Sequence, residues 1–354
     1  MDVTFVVSAL HGGGAERVIA TLANYMAGRD DNVTILMTAG DEVVYRLEEN
    51  VRLISIGQAS GGNPLVQLKR LAAMRRYFKA HRQSHIVSFS TTINLFTILA
   101  SLGLGMDVIV SERNDPNRFH HKWLRNMIYE MGDRFVFQTE DAVECFSKAI
   151  CKRSSVIPNP IRSGLPEVYT GEREKKIAAA GRLESQKNHR LLLEAFAGFH
   201  ESFPEYTLHI YGKGKLEQEL KALASELHIE SHVVWEGFRE DILERIRTYS
   251  MYVLSSDYEG ISNSLMEAMA LGLPCISTDC PIGGSALCIQ DGENGRMTPI
   301  GDSKSLQEAM EWIAQDDSRA EAMGQRAAEI RERFSEEKIC ERWRSFIEGA
   351  PNKR

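Results

Sequence analysis

The 354-residue chain carries only six cysteines, and no two of them form a Cys-x-x-Cys pair. Cys145, Cys151, Cys275, Cys280, Cys288 and Cys340 lie mostly in or beside apolar runs, so reduced, partly buried thiols are expected rather than disulfides or a zinc site. The start has no basic segment and no small-residue cleavage motif, because Met1-Asp2 runs straight into an apolar stretch. A secretory leader is therefore not expected. Aromatic residues make up 8% of the chain, and Tyr77 and Phe78 on a basic helix are alone thin support for the aromatic interleaving that a nucleic-acid groove would require. No nucleic-acid partner is expected, and the formal charge of −7 agrees. Hydrophobic content of 43% and charged content of 26% exclude a disordered or collagen-like chain. The charge is uneven: residues 1–160 hold 18 basic and 16 acidic residues, and the remainder holds 24 and 33.

One stretch is long enough to cross a membrane. Residues 86–106 contain no charged residue over 21 positions. Ser88, Ser90, Thr91, Thr92, Asn94, Thr97 and Ser101 interrupt it, and Gly103 and Gly105 end it. A buried strand followed by a buried helix is the expected structure, with a transmembrane helix as the alternative.

What the chain has in abundance is alternation. Strand candidates at residues 3–10, 33–38, 51–56, 86–90, 108–111 and 135–139 are mostly separated by helix candidates at 16–27, 65–80, 92–102 and 122–131. A further helix is expected at 142–150. Pro158 and Pro160 then break the rhythm. It restarts with strands at 177–180, 207–211, 233–235, 251–255 and 275–277 and helices at 190–200, 216–227, 242–247 and 264–271. Helices at 304–314, 319–333 and 336–347 close the chain. The fold expected is α/β, with two doubly wound Rossmann-like domains facing across a cleft. The expected divisions are 1–155, 156–335 and a helix at 336–354 that crosses back to the first domain. Ligands of such sheets sit beyond the carboxyl ends of the strands.

Polar and glycine-rich loops fall at those ends. His11-Gly12-Gly13-Gly14-Ala15-Glu16-Arg17 follows the first strand, and its glycines would let backbone N–H groups approach an anion. It matches neither a dinucleotide fingerprint nor a Walker loop, and a tight strand–helix turn explains it equally well. Gly181-Arg182 and Lys187-Asn188 follow the first strand of the second domain. A guanidinium and an ammonium there suit a diphosphate, and the alternative is a solvated loop. Glu259 falls on the loop after the strand at 251–255, beside Gly260, where a carboxylate could accept sugar hydroxyl protons. Glu267 lies on the following helix, where Ser264-x-x-Glu267 also fits a capping box. Asp291-Gly292-Glu293-Asn294-Gly295 has the composition of a plain turn.

Glu112-Arg113-Asn114-Asp115 follows the fifth strand and could face an acceptor or form a salt-bridged loop. The helix at 65–80 carries Lys69, Arg70, Arg75, Arg76 and Lys79 and no acid. It could lie on an anionic membrane, at about 1 kcal/mol per basic residue near the surface, or be an ordinary solvated helix.

Taken together, Gly12-Gly13-Gly14-Ala15-Glu16, Asn159-Pro160, Gly181-Arg182-Leu183 with Lys187-Asn188, Glu259-x7-Glu267, Gly272-Leu273-Pro274 and Asp291-Gly-x-Asn-Gly295 resemble retaining glycosyltransferases of family 4 with the GT-B fold. The likeness runs over nearly the whole chain. It implies that Arg182 and Lys187 hold a donor pyrophosphate and that Glu259 meets the donor sugar. It implies that Glu267 reaches the ribose. Gly13, Gly14, Gly181 and Gly260 would line the donor site, with backbone groups of Ile261, Ser262, Asn263, Ser264 and Leu265 closing around sugar and phosphate. Many members have a histidine in the loop after the fifth strand; here Arg113 is its counterpart. Glu112, Asn114 and Asp115 would then lie on the acceptor side. Ser111–Pro116 and Cys280-Pro281-x-Gly283-Gly284 are similar to a subset in bacterial surface-polysaccharide pathways. The resemblance thus implies a nucleotide-diphosphate sugar, UDP-linked, as donor and a polyprenyl-diphosphate-linked glycan as acceptor. It also implies no cofactor or metal, and a cytoplasmic enzyme peripheral on the inner face of the membrane. A sugar-nucleotide epimerase and a non-catalytic nucleotide-sugar-binding subunit are the alternatives.

Overall fold

The computed structural model describes residues 1–57 and 63–349. It divides into two compact units. The first spans Met1–Pro160 and takes in the helical segment that begins at Glu336; the second spans Ile161–Ser335.

The first unit is built on seven parallel strands. These are β1 (Asp2–Val7), β2 (Asn32–Met37), β3 (Arg52–Ser55), β4 (His85–Phe89), β5 (Val108–Ser111), β6 (Arg134–Phe137) and β7 (Ser154–Val156). Their order is β3-β2-β1-β4-β5-β6-β7. The central strands read as near-continuous Val, Ile and Phe runs, interrupted by Thr4 and Ser88, because helices cover both faces of the sheet. Val3, Phe5, Val6, Ile109 and Phe135 are all buried. Strand β7 was not anticipated: residues 154–156 pair with β6, so the first unit reaches Pro160 rather than 155.

Six helices connect these strands: α1 (Gly14–Ala27), α2 (Pro64–Ala80), α3 (Thr91–Ser101), α4 (Lys122–Tyr129), α5 (Glu140–Glu144) and α6 (Lys148–Cys151). Asn63 caps α2 by accepting from the Leu65 N–H, and Pro64 sits in its first turn, where a missing N–H costs nothing. The single helix expected at 142–150 is two short ones, because Thr139 and Ser147 each cap a new start. Residues 86–106 form β4 and the 11-residue α3. Several of their polar side chains are satisfied internally, although the buried Thr97 hydroxyl has no partner. Ser88 donates to Asn94 Oδ1, and Asn94 Nδ2 bonds the Ser111 carbonyl and the Tyr129 hydroxyl. Among the described residues no helix is long and apolar enough to cross a membrane.

The second unit holds six parallel strands: β8 (Glu174–Ala180), β9 (Thr207–Tyr211), β10 (Val233–Gly237), β11 (Tyr249–Leu254), β12 (Cys275–Thr278) and β13 (Arg296–Thr298). Their order is β10-β9-β8-β11-β12-β13. Its helices are α7 (His189–Ser202), α8 (Glu217–Glu226), α9 (Ile242–Ile246), α10 (Asn263–Ala270), α11 (Gly284–Cys288), α12 (Ser303–Ala314), α13 (Asp317–Ala328) and α14 (Ile330–Arg333). Leu192, Phe196, Phe199, Ile210, Val253 and Met310 belong to the buried core between sheet and helices. The turn at 291–295 leads into β13, a short strand its composition did not announce.

In this sheet β8 and β11 are neighbours in space but far apart in sequence. That is the topological switch point, where loops diverge and leave a crevice at the carboxyl ends. In the first sheet the switch falls between β1 and β4. The last helix, α15 (Glu336–Glu348), packs beside α1 in the first unit. Trp343 is fully buried and stacks on Phe89 at 5.4 Å between ring centres, and Arg344 Nε pairs with Asp31 at 3.0 Å.

Candidate active site

The two loops that leave β8 and β11 are stitched to each other. The Asp257 N–H donates to the Gln186 carbonyl at 2.9 Å, and the Gln186 amide donates to the Tyr258 carbonyl at 3.0 Å. The Ser255 hydroxyl donates to the Lys187 carbonyl at 3.0 Å. Asn188 donates to Asp257 Oδ1 at 2.7 Å while its own oxygen caps α7 at the Leu191 N–H. Asn188 adopts a left-handed φ of 42°, a conformation asparagine tolerates better than most residues.

This stitching brings Lys187 and Glu259 together. Lys187 Nζ lies 2.6 Å from Glu259 Oε1, and the Ser256 hydroxyl donates to the same oxygen at 2.9 Å. Both charged side chains are largely shielded from solvent. Gly181 makes room for the pair. A Cβ at this position would lie 2.9 Å from Lys187 Cε, so any larger residue would push the lysine aside. Arg182 does not join them: its guanidinium is 69% exposed and meets Glu184 at 3.7 Å. It stands on the same loop with its fork free to turn.

Helix α10 starts one residue earlier than its sequence pattern suggests. Ser262, not Ser264, is the N-cap, accepting from the Leu265 N–H, so Ser264 and Glu267 do not form a capping box. Ser264 instead accepts from the Tyr252 hydroxyl at 2.8 Å. Glu267 is buried and pairs with Arg162 Nε at 3.3 Å. Gly260 and Ile261 are buried on the same turn, and Asn263 opens the helix. Gly284 packs so tightly on this turn that a Cβ would lie 1.7 Å from the Gly260 carbonyl oxygen. Ser256 and Arg162 were missed from sequence. A serine three residues before a glutamate carries no signal, and Arg162 lies far from Glu267 along the chain.

His189 follows this loop and is buried with neither ring nitrogen hydrogen-bonded. Burial, with the charge of Lys187 nearby, lowers its pKa to about 4.

In the first unit the glycine loop is closed on itself. Glu16 Oε2 accepts from the Gly12 N–H at 2.9 Å and from the Gly13 N–H at 2.8 Å, so a carboxylate of the chain's own occupies the expected anion position. Gly14 is the first residue of α1.

The loop after β5 is sorted into two roles. Glu112 is buried and accepts from the Thr91 and Tyr129 hydroxyls, and burial raises its carboxyl pKa above the usual range. Asp115 is buried and caps the turn at the Asn117 N–H. Both are therefore turned inward rather than presented to an acceptor, a correction that follows from their hydrogen bonds. Asn114 is exposed. Arg113 Nη1 donates to the Ser111 hydroxyl at 3.3 Å, and Nη2 donates to Asn159 Oδ1. Its guanidinium lies 5.1 Å from the Phe89 ring centre and 5.9 Å from that of Trp343. Burial pulls its pKa down to about 9.

Helix α2 also sorts its cations. Arg75 donates to the carbonyls of Ala100 and Leu102, satisfying the end of α3, and Arg70 is buried near the Phe96 ring. Neither is part of an outward basic face. Lys69, Arg76 and Lys79 are exposed. Beside them stand exposed apolar side chains, Leu65 at 67% and Leu68 at 61%. On α4, Trp123 is 70% exposed and Met127 53%. Helices α2 and α4 both pack against α3.

Comparison with known proteins assigns both halves. A family model described as "Glycosyltransferase Family 4" matches residues 12–163, and one described as "Glycosyl transferases group 1" matches residues 167–330. In Campylobacter jejuni, a GalNAc-alpha-(1->4)-GalNAc-alpha-(1->3)-diNAcBac-PP-undecaprenol alpha-1,4-N-acetyl-D-galactosaminyltransferase is 26% identical over 99% of both chains. An N-acetylgalactosamine-N,N'-diacetylbacillosaminyl-diphospho-undecaprenol 4-alpha-N-acetylgalactosaminyltransferase from the same organism is 26% identical over 94% of this chain and 96% of its own. Anabaena HepE, solved with UDP and glucose, superposes with a TM-score of 0.86 at 18% identity, over 99% of this chain and 100% of its own. Two glycosyltransferase models in tandem, each over its own parallel-sheet unit, identify the chain: it belongs to the glycosyltransferases of the GT-B type.

Proposed function

We propose that this glycosyltransferase moves a sugar, with retention of anomeric configuration and without a metal, from a UDP-linked donor to a polyprenyl-diphosphate-linked glycan. The observation that carries the reading is the Lys187–Glu259 pair at the switch point of the second sheet. A cation and a carboxylate held side by side suit a ligand that is anionic at one end and hydroxylated at the other. Lys187 and Arg182 would take the diphosphate, Glu259 the sugar hydroxyls, and the amides of Ile261, Ser262 and Asn263 the oxygens between them. Glu267, steadied by Arg162, would accept from the ribose. During transfer the bond from the anomeric carbon to the phosphate oxygen breaks, and a bond to the acceptor oxygen forms. The acceptor proton passes to the leaving phosphate. Lys187, held in place by its neighbours, would stabilise the charge that develops on that phosphate, and Arg182 would turn to join it. The acceptor proposed is supported by what the two Campylobacter relatives act on.

The lipid-linked acceptor would be met at the inner face of the cytoplasmic membrane. Lys69, Arg76 and Lys79 would attract anionic headgroups, and Leu65, Leu68 and Trp123 would supply the apolar contact that charge alone lacks. Charge reversal of Lys69, Arg76 and Lys79 together should weaken binding to anionic liposomes and remove its salt dependence; unchanged binding would leave α2 as ordinary surface.

A panel of UDP- and GDP-sugars, read by thermal stabilisation, tests the donor. A ligand at 100 times its Kd adds about 2.7 kcal/mol. Transfer to an isoprenoid-diphosphate glycan, with the product's anomeric configuration read by NMR, tests the reaction. A new UDP-sugar isomer formed without acceptor would show an epimerase instead, and binding without turnover would show a non-catalytic subunit.

A further inference from the structure

We infer that Arg113 is the receptor for a phosphoryl oxygen of the isoprenoid diphosphate acceptor. The inference deepens the proposed function and rests on it for the identity of the ligands.

The guanidinium is held where a charge is expensive, and nothing in the first unit compensates it. No ion pair among the described residues includes Arg113. Its two hydrogen-bond acceptors, Ser111 Oγ and Asn159 Oδ1, are neutral, and Asn159 Oδ1 is shared with the Gln138 amide at 2.7 Å. The Nε–H is buried without any acceptor. The carboxylates that flank it in sequence are committed elsewhere, Glu112 to Thr91 and Tyr129, and Asp115 to the Asn117 N–H and Arg118. The rings of Phe89 and Trp343 hold the guanidinium in place, one from β4 and the other from α15.

A buried, unpaired charge is destabilising, so a residue that served packing alone would be better apolar. Arg113 is instead aligned by neutral groups, with its charge unpaired and its Nε–H without an acceptor. It sits at the carboxyl end of β5, on the ligand edge of the sheet. A planar guanidinium matches phosphate oxygens and binds them tightly away from bulk water. The donor diphosphate is already assigned to Lys187 and Arg182, so the phosphate left for Arg113 is that of the isoprenoid acceptor.

Arg113→Met and Arg113→Lys are compared with the wild type. Binding of UDP and of farnesyl diphosphate is measured by calorimetry, and stability by thermal unfolding. Arg113→Met is expected to weaken farnesyl diphosphate at least tenfold and leave UDP unchanged, with a melting temperature no lower than wild type, and Arg113→Lys to restore part of the affinity. Loss confined to farnesyl diphosphate supports the inference; loss confined to UDP would overturn it. Affinities within twofold of wild type for both ligands would overturn the inference. So would a lowered melting temperature with binding lost only in proportion to unfolded protein. Because both readouts are independent of sugar transfer, failure of the proposed reaction would not mimic failure of this site.

Discussion

The Lys187–Glu259 pair gives a prediction whose size follows from its geometry. At 2.6 Å two unit charges attract by roughly 6 kcal/mol at an effective dielectric of about 20, before desolvation is subtracted. The side chains are only 14% and 11% exposed, so desolvation cancels much of that gain. A net coupling of about 2 kcal/mol is expected, within the range of contacting residues. Lys187→Met leaves Glu259 with the Ser256 hydroxyl as its remaining partner and should cost about 2–3 kcal/mol; Glu259→Gln should cost a similar amount. The double variant should lose about 2 kcal/mol less than the sum of the singles. Urea unfolding of all four proteins measures this cycle. Activity should not follow the same arithmetic. All three variants should lose transfer by about 100-fold or more, because a restored fold does not restore the groups that hold the substrate. A coupling below about 0.5 kcal/mol would refute the pairing. A double variant that regained activity with stability would refute its role in binding.

Two further outcomes follow from neighbouring residues. His189 is neutral in the folded protein down to about pH 4, whereas in the unfolded chain it gains a proton below about pH 6.5. The unfolded state therefore binds more protons between these values. The associated stability is present above pH 6.5 and declines as pH falls towards 4, by about 3 kcal/mol in all. Unfolding titrations at pH 7 and pH 4.5 should show this loss in the wild type and a smaller one in His189→Leu; equal slopes would exclude His189 as the cause. Gly181→Ala should displace Lys187, since the new Cβ would lie 2.9 Å from Lys187 Cε, and raise the donor KM about tenfold or more. An unchanged KM would mean that the lysine side chain accommodates the methyl group without leaving its partner.

The alternation of apolar and helical segments made the two sheets legible, because parallel strands covered on both faces must be continuously apolar. The loops at their carboxyl ends followed from the same logic, and so did the candidacy of Lys187 and Glu259. What was not legible depends on which way side chains turn. Ser262 and Ser264 are equivalent candidates for a cap in sequence, and only backbone geometry selects Ser262. Arg70 and Arg75 carry the same charge as Arg76, but they lie on the face of α2 that meets α3. Glu112 neighbours Arg113, yet strand β5 points it into a cage of hydroxyls. Residues 154–156 lacked the length and apolar run of a strand, and β6 recruits them by pairing. Arg162 reaches Glu267 across 104 intervening positions, beyond any local pattern.

The central claim is that Glu259 holds the sugar being transferred. Mass spectrometry of an isoprenoid-diphosphate glycan, incubated with the preferred nucleotide sugar and either wild-type protein or Glu259→Gln, tests it directly. The account predicts a one-sugar mass increase with the wild type and none on the same timescale with a variant shown to be folded. Elongation by folded Glu259→Gln at a rate near that of the wild type would contradict it.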